Sequence, residues 1–163
     1  MVVKKLEIGC GNKPKEGYAH FDIRPLEGVD VVGDARKLPF KDGEFGEIYS
    51  RFFLEHLLRQ DAKLTLKEMN RVLMKKGALE IIVPDIEYFC RLFIEGDAQK
   101  KEWALNKIYG FEKYPEDHHN FGYDFEILKN YLEEAGFSRV KRVLPKTDKD
   151  KQYLQVKANK AGN

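Results

Sequence analysis

The sequence predicts an α/β fold: a three-layer α/β/α sandwich around a mostly parallel seven-stranded sheet, with an antiparallel C-terminal hairpin. Strand-like and helix-like segments alternate along the chain, which is typical of parallel sheets with helices on their faces. The first strand runs directly into a turn with two glycines, and an acid follows each of the next two strands, Asp22 and Asp34. The 163 residues suffice for one core, so we expect a single domain over 1–163.

The strands are predicted from short apolar runs that end at turn residues. In chain order these runs lie at 6–8, 19–23, 29–32, 46–50, 78–83, 140–144 and 153–157. The helix over 61–74 follows from apolar residues at helical spacing, with Asp61 as its N-cap and Gly77 as a left-handed C-terminal cap. A later helix over 124–135 has Asp124 as its N-cap. The last two strands form the C-terminal hairpin.

One segment, at about 87–123, does not follow this alternation. Its first parts have helical character, and it is rich in aromatic residues: Tyr88, Phe89, Phe93, Trp103, Tyr109, Phe111, Tyr114, Phe121 and Tyr123. Because it follows the fifth strand, we expect it to lie over the carboxyl edge of the sheet. We therefore interpret this segment as a cap or lid on the substrate side.

The composition excludes several classes of protein. A hydrophobic share of 42% and a charged share of 34% indicate a soluble globular chain, and no apolar run approaches the roughly 20 residues that span a membrane. The net charge of +2 is too small for a strongly basic nucleic-acid-binding domain. The short stretch before the first strand leaves no room for a signal peptide, so we expect a cytoplasmic protein. Abundant Lys and Glu resemble the bias of heat-adapted proteins.

The turn after the first strand is the most informative motif. It reads Glu7-Ile8-Gly9-Cys10-Gly11, and glycine allows both a sharp turn and a close approach of a ligand to the backbone. Ligands of parallel α/β sheets bind outside the carboxyl ends of the strands. Acids at that edge, here Asp22 and Asp34, can accept hydrogen bonds from ribose hydroxyls or an exocyclic amine. The pattern predicts a nucleoside-bearing cofactor.

Together with the downstream segment Arg71-Val72-Leu73 and Gly77, this motif resembles the class I, Rossmann-like, S-adenosylmethionine-dependent methyltransferases. The resemblance runs from about Lys4 to Pro84 and continues weakly over 133–137. It implies methyl transfer from S-adenosyl-L-methionine to an unidentified acceptor. It also implies a set of cofactor-binding residues: Glu7, Gly9, Cys10, Gly11, Asp22, Ile23, Asp34, Ala35, Ser50 and Arg51.

Within that set, the resemblance gives each region of the cofactor its own residues. The two turn glycines match those that pass beneath the methionine part. Asp22 matches the acid that accepts both ribose hydroxyls, while Asp34 and the amide of Ala35 face the adenine. Ser50 and Arg51 follow the fourth strand, where the methionine end and the reactive methyl group lie.

The chain departs from the family pattern between its first two strands. Lys13 stands where the family has a third glycine, Pro14 follows it, and only ten residues separate Gly11 from Asp22. A full helix normally needs more residues, so we expect a severely shortened helix or a loop over 12–18. That helix N-terminus normally helps to hold the carboxylate of the cofactor. We therefore hypothesise that Lys13 or Arg51 supplies the positive charge instead.

The acceptor side is less defined. Asp85, His118, His119 and Tyr123 are the candidate catalytic residues, and a histidine can act as a general base because its ordinary pKa is about 6.5. His56, which ends a Leu-Glu-His segment similar to one in the family, is a further candidate for ligand contact. We expect a small-molecule acceptor rather than a nucleic acid, and no membrane partner.

The sequence also suggests three alternatives. Glu116, Asp117 and the adjacent histidines 118–119 suggest a metal, but neighbouring loop residues seldom chelate one ion together, so no metal site is predicted. A nicotinamide-dinucleotide domain requires the pattern Gly-x-Gly-x-x-Gly at the start of a helix, and here Pro14 stands at the position of the third glycine. The remaining alternative is an S-adenosylmethionine-binding module or assembly subunit without transferase activity of its own.

Overall fold

A computed structural model describes residues 4–111 and 117–162 of the chain. In this part of the chain there are seven strands: β1 Lys5–Ile8, β2 Ala19–Asp22, β3 Val31–Val32, β4 Phe45–Arg51, β5 Leu73–Pro84, β6 Phe137–Arg142 and β7 Tyr153–Lys160. The α-helices are α1 Arg59–Val72, α2 Ile86–Glu95, α3 Ala98–Tyr109 and α4 Phe125–Glu134. Short 3-10 turns lie over Leu54–His56 and over Asp148–Gln152.

The strands form one sheet in the order β3-β2-β1-β4-β5-β7-β6. The first five pair in parallel, and β7 runs antiparallel between β5 and β6. The predicted seven-stranded, mostly parallel sheet with an antiparallel C-terminal hairpin, flanked by helices, is therefore confirmed. The chain leaves β1 towards β2 on one side and returns to β4 on the other. The switch point between β1 and β4 is where ligands bind in such sheets.

One face of the sheet is apolar and is covered by helices. Leu6 lies beside Ile48, which lies beside Leu79, and all three side chains are buried. Leu66 of α1 and Leu128 of α4 are fully buried and belong to the same core cluster. Removing this apolar surface from water contributes on the order of 25 cal/mol per Å² to stability. This face fixes the strands whose carboxyl ends carry the site.

The opposite face of the sheet carries polar side chains. The connection from β1 to β2, which lies on this face, contains no helix that could cover it. Glu7 lies beside Tyr49, and Tyr49 beside Glu80, so charged groups occupy this face. The ring of Tyr18, in the connection, lies 6.0 Å from that of Tyr49, and the ammonium of Lys15 lies 4.4 Å from the Tyr49 ring centroid. The predicted replacement of the first helix by a loop is thus confirmed, and the helical cover of the sheet is uneven.

The boundaries of α1 differ from those predicted. Leu58 is the N-cap residue, so Asp61 lies in the first turn rather than at the cap. At the other end, Lys76 has a positive φ of 61°, whereas the predicted cap Gly77 does not. The reason is that Leu73 already pairs with β4, so the chain passes from helix to strand without a left-handed cap.

The helical character predicted for the start of the segment at about 87–123 is confirmed by α2 and α3, and its role as a lid stays a prediction. Tyr114 and Glu116 lie outside the described residues. Cys90 of α2 is exposed. Over residues 4–111 and 117–162, no helix has the length and apolar character needed to cross a membrane.

Candidate functional site

A cavity of about 580 Å³ lies at the carboxyl ends of the strands around the β1–β4 switch point. Its volume is in the range of pockets that bind drug-sized ligands. The residues of the predicted cofactor set that line it are Glu7, Gly9, Cys10, Gly11, Asp22, Ile23, Asp34, Ala35 and Arg51. Ser50 is buried beneath the surface instead, and its hydroxyl has no hydrogen-bond partner among the described residues.

The glycine turn is fixed by its backbone geometry. Gly9 and Gly11 have φ angles of 72° and 58°, which side chains rarely adopt. A Cβ on Gly9 would lie 2.5 Å from ring atoms of Phe53, so this position has no space for one. The Gly9 amide donates to the carbonyl of Phe21 over 2.8 Å, which ties the turn to the end of β2. The backbone can therefore border the cavity directly.

Two buried acids hold the loop that replaces the first helix. The Oδ2 atom of Asp22 accepts the Gly11 amide at 2.8 Å, and Oε2 of Glu7 accepts the Lys15 amide at 2.7 Å. The other Asp22 oxygen accepts the amide of Arg24 at 3.0 Å and its guanidinium Nε at 3.3 Å. Burial raises the pKa of Glu7. A carboxylate has about four lone-pair positions, so Asp22 keeps acceptor capacity towards the cavity.

At the adenine end predicted from the sequence, the groups are more exposed. Asp34 forms an ion pair with Arg36 at 2.6 Å, and hydrogen bonds from Arg36 lower the pKa of Asp34. Ala35 is buried, and the apolar side chain of Ile23 is 61% exposed. These residues provide a carboxylate, a backbone amide and an apolar surface at one end of the cavity.

Cationic side chains border the same cavity near the glycine turn. Lys13 and Arg51 both line it. The Arg51 guanidinium lies 4.6 Å from the ring centroid of Phe52, whose φ of 52° is unusual for a non-glycine residue. Phe52 and Phe53, which also line the cavity, were not predicted. A strained backbone angle of this kind is visible only in the structure.

The predicted catalytic histidines occupy different places. His118 lines the cavity, and its carbonyl accepts a hydrogen bond from Nδ1 of His56, 3.0 Å away. His119 does not line it and packs edge-on against His56, with ring centroids 4.8 Å apart. Burial and the neighbouring His56 lower the pKa of His119 to about 4. Among the histidines of the described residues, His118 and His56 are the two that line the cavity and can contact a molecule in it directly.

Asp85 and Tyr123 do not line the cavity. Asp85 is the N-cap of α2, accepting the amide of Glu87 at 3.1 Å, and it pairs with Arg142 at 2.5 Å. Tyr123 is fully buried and lies edge-on to Phe121. Both side chains therefore make structural contacts outside the cavity, and this geometry does not support a catalytic role for either of them.

Glu55 was not predicted as a site residue. It is 2% exposed, neither carboxylate oxygen has a hydrogen-bond partner among the described residues, and burial raises its pKa to about 8. Its backbone carbonyl accepts the amide of Asn120 at 2.8 Å, and the Asn120 side chain donates to the carbonyl of His56 at 2.7 Å. The Leu-Glu-His segment was a signal for His56, but nothing in the spacing indicated its contact with 118–120.

Comparisons with known proteins agree with this geometry. Residues 12–81 match the methyltransferase domain family. The demethylmenaquinone methyltransferase of Staphylococcus saprophyticus is 33% identical over 128 residues, covering 68% of this chain and 49% of that protein. The Staphylococcus haemolyticus protein of the same name is 28% identical over 153 residues, covering 83% and 55%. The chain thus spans about half the length of these curated relatives.

Solved structures show the same fold. A Thermotoga maritima S-adenosylmethionine-dependent methyltransferase, described as a possible histamine N-methyltransferase, has a TM-score of 0.64 and 20% identity, covering 98% of this chain and 83% of that one. A Methanosarcina mazei methyltransferase has a TM-score of 0.64 and 17% identity, covering 99% and 93%. The resemblance predicted from the sequence is confirmed: the chain has the fold and the motif order of a class I S-adenosylmethionine-dependent methyltransferase, with a loop in place of the helix after β1.

Proposed function

We propose that this chain is an enzyme that binds S-adenosyl-L-methionine in the cavity of about 580 Å³ and transfers its methyl group to a small-molecule acceptor. The observation that carries the proposal is the convergence of the glycine turn, Asp22 and Asp34 on one cavity at the β1–β4 switch point. Gly9 is required in this turn because a Cβ there would collide with Phe53, and the backbone of the turn borders the cavity.

In this proposal each part of the cofactor has its own place in the cavity. Asp22 would accept the ribose hydroxyls, and the region of Ile23, Asp34 and Ala35 would hold the adenine. The methionine part would lie along the glycine turn. Lys13 and Arg51, which border that part of the cavity, would neutralise the carboxylate that a helix N-terminus holds in longer relatives of the fold.

Methyl transfer makes modest demands on the residues of the chain. The sulfonium of the bound cofactor supplies an activated methyl group. The chain's own part is to align the acceptor with the methyl group and to exclude water. His118 is the best-placed candidate among the predicted catalytic residues, because it lines the cavity. It would accept a proton wherever the nucleophile has to lose one.

A small molecule is the acceptor class that the chain favours. The curated relatives are named for demethylmenaquinone, a small molecule. The net charge of +2 does not supply the basic surface that a nucleic acid would require. We further propose that the segment with α2 and α3 covers the acceptor, and that the protein acts in the cytoplasm.

The second candidate function is a cofactor-binding module or assembly subunit without its own transferase activity. It is favoured by one observation, the loss of the helix after β1, which removes a standard contact to the methionine carboxylate. Transfer of a radiolabelled methyl group to a panel of small molecules, RNA and proteins separates the two. Tight binding without transfer to any of them would favour the module.

Calorimetric titration with S-adenosylmethionine and S-adenosylhomocysteine tests the binding site. Asp22→Asn should weaken both affinities by about 10- to 100-fold, because it removes a charged acceptor of the ribose hydroxyls. The matched control is Asp30→Asn, which lies beside β2, binds the His20 amide at 2.8 Å and does not line the cavity. Equal affinities for the two variants would exclude Asp22 as the ribose acceptor, and wild-type protein that binds neither ligand would overturn the proposal.

A further inference from the structure

The geometry points to a site for a divalent transition metal of the zinc class, formed by Glu55, His56 and His119. One ligand atom from each side chain lies within 4.8 Å of those of the other two. Glu55 and His56 belong to the 3-10 turn after β4, and His119 to the loop before α4. The site therefore joins two segments that are far apart in the sequence.

The first argument is the state of the Glu55 carboxyl group. It is 2% exposed, and neither of its oxygens has a hydrogen-bond partner among the described residues. Buried ionised groups are strongly disfavoured unless they are paired or coordinate a metal. The positive charge of Lys107 acts on Glu55, and Lys107 borders the same small cavity, with its ammonium 4.8 Å from the ring centroid of Trp103. A bound cation would satisfy the carboxylate directly.

The second argument is the orientation of the two imidazole rings. Nδ1 of His56 lies 3.0 Å from the carbonyl of His118, and Nδ1 of His119 lies 2.9 Å from the carbonyl of Lys107. A carbonyl oxygen only accepts, so both Nδ1 atoms carry the proton and the lone pair of each neutral ring is on Nε2. Histidines that bind metals are held in this way, with the other ring nitrogen donating to a carbonyl or a carboxylate.

The third argument is the donor set. Two imidazoles and one carboxylate are a ligand set of catalytic zinc sites, which keep one further position open. Imidazole nitrogen selects zinc-like ions over magnesium or calcium. Tetrahedral ligands about 2.0–2.1 Å from zinc are about 3.4 Å apart, so the most distant pair must approach by about 1.4 Å. A cavity of about 10 Å³, close to the volume that one small ion or water needs, lies beside Glu55 and His119.

This metal site is different from the group of neighbouring loop residues in the sequence, for which no metal site was predicted. Only one of the adjacent histidines, His119, belongs to it, and its partners come from another segment. His56 also lines the cofactor cavity. A bound metal would therefore fix the loop before α4 against the turn after β4, at the wall of that cavity. The competing explanation for the same geometry is a protonated Glu55 without metal.

Titration of chelator-treated protein with Zn²⁺ and Co²⁺ decides between these explanations. Calorimetry should give one Zn²⁺ per chain, and Co²⁺ should produce the visible absorption of a four- or five-coordinate N,O site. Saturation with Zn²⁺ should raise Tm by about 5 °C. Glu55→Gln and His119→Ala should each weaken Zn²⁺ binding by roughly 100-fold, with their fold checked by circular dichroism.

The matched control is His118→Ala, which removes the neighbouring histidine but keeps the carbonyl that orients His56. Its affinity for Zn²⁺ should equal that of the wild type. The inference is overturned if the wild-type protein shows no saturable Zn²⁺ binding, or if Glu55→Gln binds as tightly as His118→Ala. The wild-type titration decides by itself if a variant does not fold. None of these measurements depends on S-adenosylmethionine.

Discussion

The two sides of the cavity are built differently. On the glycine-turn side, formed by residues 7–24 and 33–35, each acid is hydrogen-bonded to a nearby backbone amide, 8, 11 or 2 residues away for Glu7, Asp22 and Asp34. On the histidine side, formed by 55–56 and 118–120, the contact between His56 and His118 spans 62 residues, and Glu55 has no partner for its carboxylate among the described residues. The acids of the first side are hydrogen-bonded within the protein, whereas the second side holds a buried carboxyl group whose oxygens have no hydrogen-bond partner among the described residues.

This difference indicates two kinds of construction. Local hydrogen bonds organise the glycine turn in advance, so that little order has to be gained when a cofactor binds. The histidine side carries a polar cluster whose cost is recovered only when another group, a proton or a cation, joins it. Variants on the two sides should therefore behave differently in stability and in binding.

The largest effect is expected for Gly9→Ala on the glycine-turn side. It combines a φ of 72° with a Cβ placed 2.5 Å from Phe53, so the free energy of unfolding should fall by about 3 kcal/mol, with loss of cofactor binding. Gly17→Ala is the control, because its φ is 84° but nothing lies within 4 Å of the added Cβ. It should cost about 1 kcal/mol and leave binding intact. Equal urea denaturation midpoints for the two variants would contradict the close approach at Gly9.

A direct comparison of the two sides replaces one buried acid on each. Asp22→Asn should lower the free energy of unfolding by about 1–2 kcal/mol, because the amides of Gly11 and Arg24 lose a charged acceptor. Glu55→Gln in the presence of a chelator should leave that free energy unchanged or raise it, because no hydrogen bond is lost and the cost of protonating or burying the carboxylate on folding is removed. Urea denaturation at pH 7.5 measures both. A larger loss for Glu55→Gln would contradict the difference between the two sides.

A smaller effect concerns the charge that replaces the missing helix N-terminus. Arg51→Ala should weaken S-adenosylhomocysteine binding by about 10-fold, since one partly exposed contact to the carboxylate is lost. It should not affect 5′-methylthioadenosine, which lacks that carboxylate. Arg59→Ala is the control, because its guanidinium also lies over a ring, 4.9 Å from that of Phe121, but does not line the cavity. Equal losses for the two ligands would assign Arg51 another task.

The sequence was sufficient where structure is encoded locally. The strand–glycine turn–acid pattern, the missing first helix and the final hairpin all follow from short spacings, and these parts of the fold were predicted. It was insufficient where contacts are long-range. Asp85 and Tyr123 were candidates for the acceptor side, but neither lines the cavity, and Asp85 instead caps α2 and pairs with Arg142, which no spacing predicts. Glu55 was overlooked for the same reason, since its neighbour His119 comes from a distant loop.

The most direct test of the cofactor assignment is a crystal structure of the protein with S-adenosylhomocysteine. We expect the ligand in the cavity at the β1–β4 switch point, with both ribose hydroxyls on Asp22, the adenine beside Asp34 and Ala35, and the carboxylate near Lys13 or Arg51. A ligand bound elsewhere on the protein, or in this cavity with its ribose away from Asp22, would contradict the assignment of the glycine turn as a methyltransferase cofactor site.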